Sequence, residues 1–346
     1  MDRTRLSDSD PADGGSGQTA SGHRCSVACP GIFDDYSFAL CLTHDVDRVY
    51  KTYQTLYDAL SERQPRHLKT LVSGSEPYWQ FADIMAIEDE FDVRSSFYFL
   101  NEKRLFLEKS AIAALRPRNW IRYTGHYDIN DPDVVDVIQR LDKGGWEVGL
   151  HGSYDSYGDR TRLLYEKNAL ENVLGHPITG GRQHYLNLTV PETWRYHRDV
   201  GLRYDASLGS STEYGFRVEP AGEASGNITG ENGPYHGVLR PFDDDFLVFP
   251  LTVMDAALMD AAPNREAAWR KVRGILREAS EKRAVFTVVW HPRLLNREEF
   301  PGYRWVYKRL VEEALSMDAW VGPIEDAYRE IVRSDCPMHK EGPRQG

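Results

Sequence analysis

Short apolar segments alternate with amphipathic segments along this chain, and this alternation constrains its fold more than any other feature. Residues 38–43, 94–100 and 284–290 are apolar runs of the length of a buried strand. Apolar residues recur at helical spacing after Asp131-Pro132 and within residues 160–174, which predicts amphipathic helices. Strands that alternate with helices of this length are typical of βα units, so the sequence predicts an α/β fold with a parallel sheet.

Polar side chains cluster directly after four predicted strands, which are residues 38–43, residues 146–150, a short strand near Ile178, and residues 284–290. The clusters are Thr43–Asp47, His151–Asp155, Gly181–Tyr185 and His291-Pro292. In α/β barrels the C-terminal ends of the strands lie on one face, and that face carries the chemistry. The sequence therefore predicts one functional site that gathers these four clusters.

The carboxylates and the first imidazole in these clusters are candidate ligands of a divalent metal ion. Asp45 and Asp47 could both serve the site, although a single Asp there could instead cap a following helix. His151 and Asp155 are four residues apart, which on a helical turn would direct both toward one ion. The alternative for this second pair is an ordinary surface ion pair. Two carboxylates and an imidazole suit a hard or borderline divalent cation.

The two remaining clusters contribute an imidazole and a guanidinium group. His291 follows a wholly apolar strand and could be a core histidine, but Pro292 ends the strand and favours a functional position at its end. Arg182 would be costly to bury alone, so we expect it to pair with one of the carboxylates. Tyr185 belongs to a group of aromatic residues that could pack in the core or stack on a sugar.

Composition excludes several classes of protein and partner. The 346 residues carry a formal charge of -11 without a block of Lys or Arg, so a nucleic-acid partner is not expected. The sequence holds neither 18 consecutive apolar residues nor an N-terminal apolar stretch, so we expect a cytoplasmic protein without a membrane partner. Four cysteines are too few for a disulfide scaffold and are expected to be free thiols. We predict a disordered tail over residues 1–30, one domain over 31–335 and a loose tail over 336–346.

Taken together, the first two clusters resemble motifs of the polysaccharide deacetylase (NodB-homology) family of metal-dependent carbohydrate esterases. The segment THDVD (residues 43–47) is similar to the family motif T-F-D-D-G. Asp45 matches the position of the catalytic base, and Asp47 lies one residue beyond that of the metal-binding Asp. HGSYD (residues 151–155) resembles the ligand motif H-[ST]-x-x-H, with Asp155 in place of the second His.

The other two clusters extend the resemblance. RQHY (residues 182–185) is similar to the motif R-x-P-Y, with His184 where Pro is usual. In the family this Arg orients the base and the Tyr backbone amide helps to bind the oxyanion, which implies those roles for Arg182 and Tyr185. The segment VWHP resembles the last motif, whose His acts as general acid, and so implies that role for His291.

The resemblance covers roughly residues 38–330 and implies an irregular (β/α) barrel of the NodB-homology type. It also implies a hydrolase of non-peptide C–N bonds that removes an acetyl group from an N-acetylated sugar. A divalent metal ion, expected to be zinc, would be held by Asp47, His151 and Asp155. Two alternatives remain open: hydrolysis of a small amide or ureide on the same fold, and a barrel that binds carbohydrate without catalysis.

Overall fold

The computed structural model describes residues 35–51, 76–103, 125–216 and 236–335, with a few single residues between 104 and 124. The predicted tails over residues 1–30 and 336–346 lie outside the described residues. Within the described part, nine strands form one sheet: β1 (Phe38–Val46), β2 (Ser96–Leu100), β3 (Glu147–Gly152), β4 (Gly180–Gln183), β5 (Tyr204–Asp205), β6 (Leu247–Val248), β7 (Leu251–Met254), β8 (Val285–Val289) and β9 (Ala319–Gly322).

Helices connect and cover these strands, as the alternation in the sequence predicts. They are α1 (Phe81–Glu90), α2 (Pro132–Lys143), α3 (Arg160–Leu174), α4 (Glu192–Asp199), α5 (Asp255–Asp260), α6 (Arg265–Lys282), α7 (Tyr303–Ser316) and α8 (Ile324–Asp335). Asp131 caps α2 by accepting a hydrogen bond of 3.0 Å from the backbone N–H of Asp133. None of the helices in the described segments has the length and apolar character needed to cross a lipid bilayer.

The sheet curls into an irregular barrel. Its strand order is β6-β5-β4-β3-β2-β1-β8-β7, with β9 beside the first half of β1, and neighbouring strands in this order run parallel. The strands β6 and β7 stand at opposite ends of the order, yet only residues 249–250 separate them. Because the three steps from Val248 to Leu251 span at most about 10–11 Å, the two ends of the sheet must lie close together. The predicted α/β barrel is confirmed.

The strand β1 lies at the centre of the sheet and carries the first polar cluster. All nine of its residues are buried, which explains why its first half is a continuous apolar run. The strand extends three residues beyond the predicted end at Thr43, because the parallel ladder with β2 continues from Thr43 to Val46. Asp45 therefore lies inside a strand rather than at a helix cap. Cys41 is a buried free thiol, while the other three cysteines lie outside the described residues.

Candidate metal and catalytic site

The four polar clusters meet in one cavity at the C-terminal ends of the strands. The cavity has a volume of about 230 Å³. Its lining includes Asp45, Asp47, His151, Tyr185 and His291. These side chains come from the ends of β1, β3, β4 and β8, as expected for parallel strands whose carboxyl ends share one edge.

Asp45 and Arg182 form a buried ion pair on the barrel side of the sheet. The guanidinium Nη1 donates to Asp45 Oδ1 at 2.7 Å and to Thr43 Oγ1 at 2.8 Å, and Nε donates to the Ala206 carbonyl at 2.8 Å. Burial opposes ionisation of Asp45, but the charge of Arg182 and two nearby histidines outweigh it and hold the pKa of Asp45 below its usual value. The expected pairing of Arg182 with a carboxylate is present, so Asp45 is an ionised acceptor fixed in one orientation.

Asp47, His151 and His184 bring three candidate metal-ligating atoms within 4.8 Å of one another. Asp47 Oδ1 lies 3.1 Å from His151 Nε2 and 3.7 Å from His184 Nε2. In tetrahedral coordination with bonds of about 2.0–2.2 Å, ligand atoms lie about 3.3–3.6 Å apart. One carboxylate oxygen and two imidazole nitrogens at these separations fit a borderline divalent cation such as zinc.

The tautomer of His151 leaves the required nitrogen available to a cation. Its Nδ1 lies 2.9 Å from the carbonyl oxygen of Arg182, an acceptor to which only an N–H can bond. Nε2 then carries the lone pair on the cavity side. Burial lowers the pKa of His151, while Asp45 and Asp47 raise it, with a net rise. The same two carboxylates that favour a proton on this ring would favour a metal cation beside it.

His184 has an acidic residue behind it, as metal-binding histidines commonly have. Its Nδ1 lies 3.5 Å from Glu102 Oε2, and that oxygen also accepts a hydrogen bond of 2.8 Å from the backbone N–H of Tyr154. The ring of His126 packs edge-on against His184 at a centroid distance of 5.7 Å. His126 Nδ1 also lies 3.1 Å from the carbonyl oxygen of Asp47, so His126 helps to support this wall of the site.

Asp155, which the sequence predicts as a ligand, is not part of this candidate cluster of described residues. Its carboxylate accepts from Lys109 Nζ at 2.5 Å and from the Tyr123 hydroxyl at 3.2 Å. His151 lies in β3, which continues through Gly152, and a turn follows before a 3₁₀ helix begins at Ser156. The four-residue spacing is therefore not helical, and the two side chains do not share a face.

His184, rather than Asp155, completes the candidate set of ligand atoms with Asp47 and His151. The sequence marks this residue by a metal-ligating side chain directly after β4, where the resembled motif usually has Pro. That signal depends on β3 and β4 being neighbours, with His151 paired to Arg182 in the ladder. Only the strand order establishes that neighbourhood.

His291 is held by a buried acid at the end of β8. Its Nδ1 lies 3.0 Å from both carboxylate oxygens of Asp255, and its backbone N–H donates to the same group at 2.5 Å. Nε2 therefore points toward the cavity, 3.6 Å from Asp47 Oδ2. Burial opposes the imidazolium, but Asp255 and Asp47 outweigh it and raise the pKa of His291 above its usual value. Asp255, the first residue of α5, has no counterpart among the sequence-predicted site residues.

Tyr185 lines the cavity with a backbone in the left-handed region, at φ 59°. This conformation costs about 1 kcal/mol or more for a residue with a side chain, and such strain is common at functional sites. Its side chain is half exposed and packs edge-on against Tyr154 at 5.6 Å between ring centroids.

Comparison with known proteins finds similarity in structure but not in sequence. No protein-family model matches the chain, and no curated protein matches it. A protein described as a polysaccharide deacetylase from Mycobacterium smegmatis is similar in structure, with a TM-score of 0.54, 18% identity, and coverage of 90% of this chain and 96% of that one.

Two further solved structures have similar folds at 16% identity and a TM-score of 0.52. One is a protein described as a polysaccharide deacetylase from Pseudomonas aeruginosa PAO1, and the match covers 88% of this chain and 94% of that one. The other is PuuE allantoinase, and the match covers 88% of this chain and 93% of that one. At these identities the chain shares the barrel fold of the polysaccharide deacetylases, as the sequence motifs imply.

Proposed function

We propose that this chain, which has the polysaccharide deacetylase fold, is a metal-dependent hydrolase of non-peptide C–N bonds that deacetylates an N-acetylated sugar. One observation carries the proposal. The Asp47 carboxylate and the imidazoles of His151 and His184 lie at metal-ligating separations, beside the Asp45 carboxylate that is paired with Arg182. A second imidazole–carboxylate pair, His291 with Asp255, faces the same cavity.

The proposed ligands are Asp47 Oδ1, His151 Nε2 and His184 Nε2. A divalent cation bound there would supply Lewis-acid polarisation of an acyl oxygen and a lowered pKa for bound water. The protein orients the ligands through the Arg182 carbonyl behind His151 and the Glu102 carboxylate behind His184.

Asp45 is the proposed general base. It is ionised because Arg182 pairs with Oδ1, and its Oδ2 lies 4.0 Å from His151 Nε2, on the side of the proposed ligands. A carboxylate held in this way can take the proton of an attacking water without binding the cation itself. Arg182 would restrict the rotation of the carboxylate, so that the proton is accepted at one fixed oxygen.

His291 is the proposed general acid. Because Nδ1 faces the Asp255 carboxylate, the second ring proton would be carried at Nε2, toward the cavity. The raised pKa favours the protonated ring that can donate to a leaving amine. The backbone N–H of Tyr185 is the proposed donor to the oxyanion that develops on the acyl oxygen.

A second candidate substrate is a small amide or ureide. The cavity volume of about 230 Å³ is smaller than the roughly 300–1,000 Å³ of common ligand pockets. PuuE allantoinase, whose name indicates a ureide substrate, has a similar fold. Both observations support an enzyme that acts on one small molecule or one terminal sugar rather than along a polymer.

The test is metal content together with turnover. The full chain, dialysed after loading with zinc, should retain about one equivalent and release acetate from N-acetylglucosamine or N-acetylglycine. Asp45→Asn should retain the metal and lose most of the rate. A chain that binds N-acetylglucosamine without stoichiometric metal and without turnover would instead be a carbohydrate-binding barrel, and the proposal would be wrong.

A further inference from the structure

His44 belongs to the segment THDVD at the end of β1, and the proposed mechanism gives it no role. Its neighbours Thr43 and Asp45 both contact Arg182 on the barrel side of the sheet. Because successive side chains of a strand point to opposite faces, the imidazole of His44 lies on the outer side of β1. There it is fully buried and packs edge-on against Tyr307 of α7, at 5.6 Å between ring centroids.

The Nδ1 atom of His44 binds the backbone carbonyl of Trp290, the residue directly before the proposed general acid His291. The distance is 2.6 Å, and because a carbonyl oxygen only accepts hydrogen bonds, Nδ1 carries the N–H. The N–H edge of the same peptide group is held as well, since the backbone N–H of His291 donates to Asp255 Oδ2 at 2.5 Å. The peptide that leads into His291 is therefore fixed at one edge by His44 and at the other by Asp255.

A buried acid on α1 holds the other nitrogen of His44. Nε2 lies 3.0 Å from Oε1 of Glu88, and neither residue has exposed surface. The carboxyl group of Glu88 is in turn fixed by three further donors, which are Trp146 Nε1 at 2.6 Å, the Tyr307 hydroxyl at 2.6 Å and the Ser95 hydroxyl at 2.9 Å. The imidazole of His44 is thus held in one orientation, with Nδ1 toward the peptide before the general acid.

Loss of the His44 donor would leave the carbonyl of Trp290 without this hydrogen bond in a fully buried place. A buried carbonyl without a donor is costly, so the peptide would rotate toward another donor. That rotation turns the backbone N–H of His291 away from Asp255, which binds both this N–H and the ring Nδ1. The direction of His291 Nε2 in the cavity depends on both contacts.

We infer that His44 is a positioning residue for the proposed general acid, and that it sets the direction of His291 Nε2 through the peptide between Trp290 and His291. The inference rests on the proposed function and adds a residue outside the cavity lining to the groups on which proton donation depends. A donor on the carbonyl of a peptide also polarises the N–H of the same peptide, which strengthens the contact of that N–H with Asp255.

The experiment separates the two nitrogens of His44 with matched variants. In His44→Asn the side-chain amide N–H can replace Nδ1 at the Trp290 carbonyl, whereas in His44→Gln it can replace only Nε2 at Glu88. His44→Leu removes both donors. Ile331→Ala is the control for a general loss of stability, because Ile331 is fully buried on α8 and does not line the cavity.

The zinc-loaded full chain is assayed with N-acetylglucosamine and N-acetylglycine, whose amine leaving groups need a proton, and with p-nitrophenyl acetate, whose leaving group does not. We expect His44→Leu and His44→Gln to lower kcat for the N-acetyl probes about 10- to 100-fold, with little change in KM or in ester turnover, because a misplaced general acid loses much of its effect. His44→Asn should retain most of the rate, and Ile331→Ala should leave the ratio of amide to ester turnover unchanged. Equal losses for amide and ester, or equal rates in His44→Asn and His44→Gln, would show that His44 only supports the fold and would overturn the inference.

A measurement without turnover separates failure of the inference from failure of the proposed function. In protein with isotope-labelled histidine, the Nδ1–H resonance of His291 is identified in NMR spectra by its loss in His291→Ala. We expect this resonance to be the same in wild type and His44→Asn, and to shift or broaden in His44→Leu and His44→Gln. If it does so while wild type hydrolyses no probe, the positioning of His291 by His44 stands and the hydrolase proposal fails. If the resonance is unchanged in His44→Leu and His44→Gln, the inference is wrong whatever the activity of wild type.

Discussion

Asp45 and Asp47 stand two residues apart at the end of β1, and the proposed mechanism gives them different tasks that two variants can separate. Asp45 binds Arg182, whereas Asp47 lies beside His151 and Arg293. If Asp45 is the base, Asp45→Asn should keep the metal and lower kcat by about 10²- to 10⁴-fold, because an amide cannot accept the proton of water. If Asp47 is a ligand, Asp47→Ala should lose tight metal binding.

The structure also sets the stability cost of Asp45→Asn. Arg182 is fully buried and would lose its ionic partner, and removing one partner of a buried pair costs about 3–5 kcal/mol. Asparagine keeps an acceptor oxygen for Nη1, so this range is an upper bound. A total stability of about 5–15 kcal/mol would allow the variant to fold, with a melting temperature lower by the order of 10 °C.

Asp47→Ala should cost less stability. Its partner Arg293 has a side-chain accessibility of 25% and can turn toward water when the carboxylate is gone. The main effect is the loss of one of three ligating groups, which leaves two imidazoles to hold the cation. We therefore expect metal to dissociate during dialysis while the fold persists.

The assay measures metal per protein after dialysis, turnover and melting temperature on the same samples. Asp326→Asn is the control, because this carboxylate is half exposed on α8 and does not line the cavity. If Asp45→Asn loses its metal and Asp47→Ala retains it, the two roles are exchanged. If both variants keep metal and rate, neither residue belongs to the site and the proposed mechanism is refuted.

Three further predictions test other parts of the molecule. His291→Ala should lower kcat by about 10²- to 10⁴-fold while the metal is retained. The loss of kcat should be smaller for acyl substrates with a good leaving group, because such a group needs no proton. Loss of metal would instead make His291 a ligand. His184→Ala should lose the metal on dialysis while Asp155→Ala keeps it, and the reverse result would restore the ligand set expected from sequence. Glu147, at the far end of β3, is buried near Glu325, and these effects raise its pKa from 4.5 to about 7. Since the folded pKa exceeds the unfolded value, the free energy of unfolding should fall by about 3 kcal/mol as the pH rises through this window and stay level above it. Denaturant unfolding between pH 4.5 and pH 8 should show a fall in stability that is about 3 kcal/mol smaller in Glu147→Gln than in wild type, because buried Glu166, whose pKa is also raised to about 7, contributes to both proteins.

Most of the fold could be predicted from the sequence because its signals are local. The apolar runs and helical spacings identify strands and helices within a few residues, and α3 begins and ends at the predicted residues Arg160 and Leu174. The polar clusters mark the carboxyl ends of the strands, and parallel strands place those ends on one edge. The convergence of Asp45, His151, Arg182 and His291 follows from this rule, and their catalytic and binding roles remain proposals.

The partners of each side chain were decided only by the tertiary structure. The four-residue spacing of His151 and Asp155 predicts a shared helical face, but β3 continues past His151 and sends Asp155 to Lys109. His184 joins Asp47 and His151 because β4 lies next to β3.

The contact of Asp255 with His291 likewise could not be predicted from local sequence. It begins a helix 36 residues earlier in the chain and reaches the histidine because β7 and β8 pair in parallel. Local sequence determines whether a segment is a strand, which face each residue takes and where the strand ends. Distances between residues on different strands depend on strand order and ladder register, and these are settled when the whole sheet closes around its core.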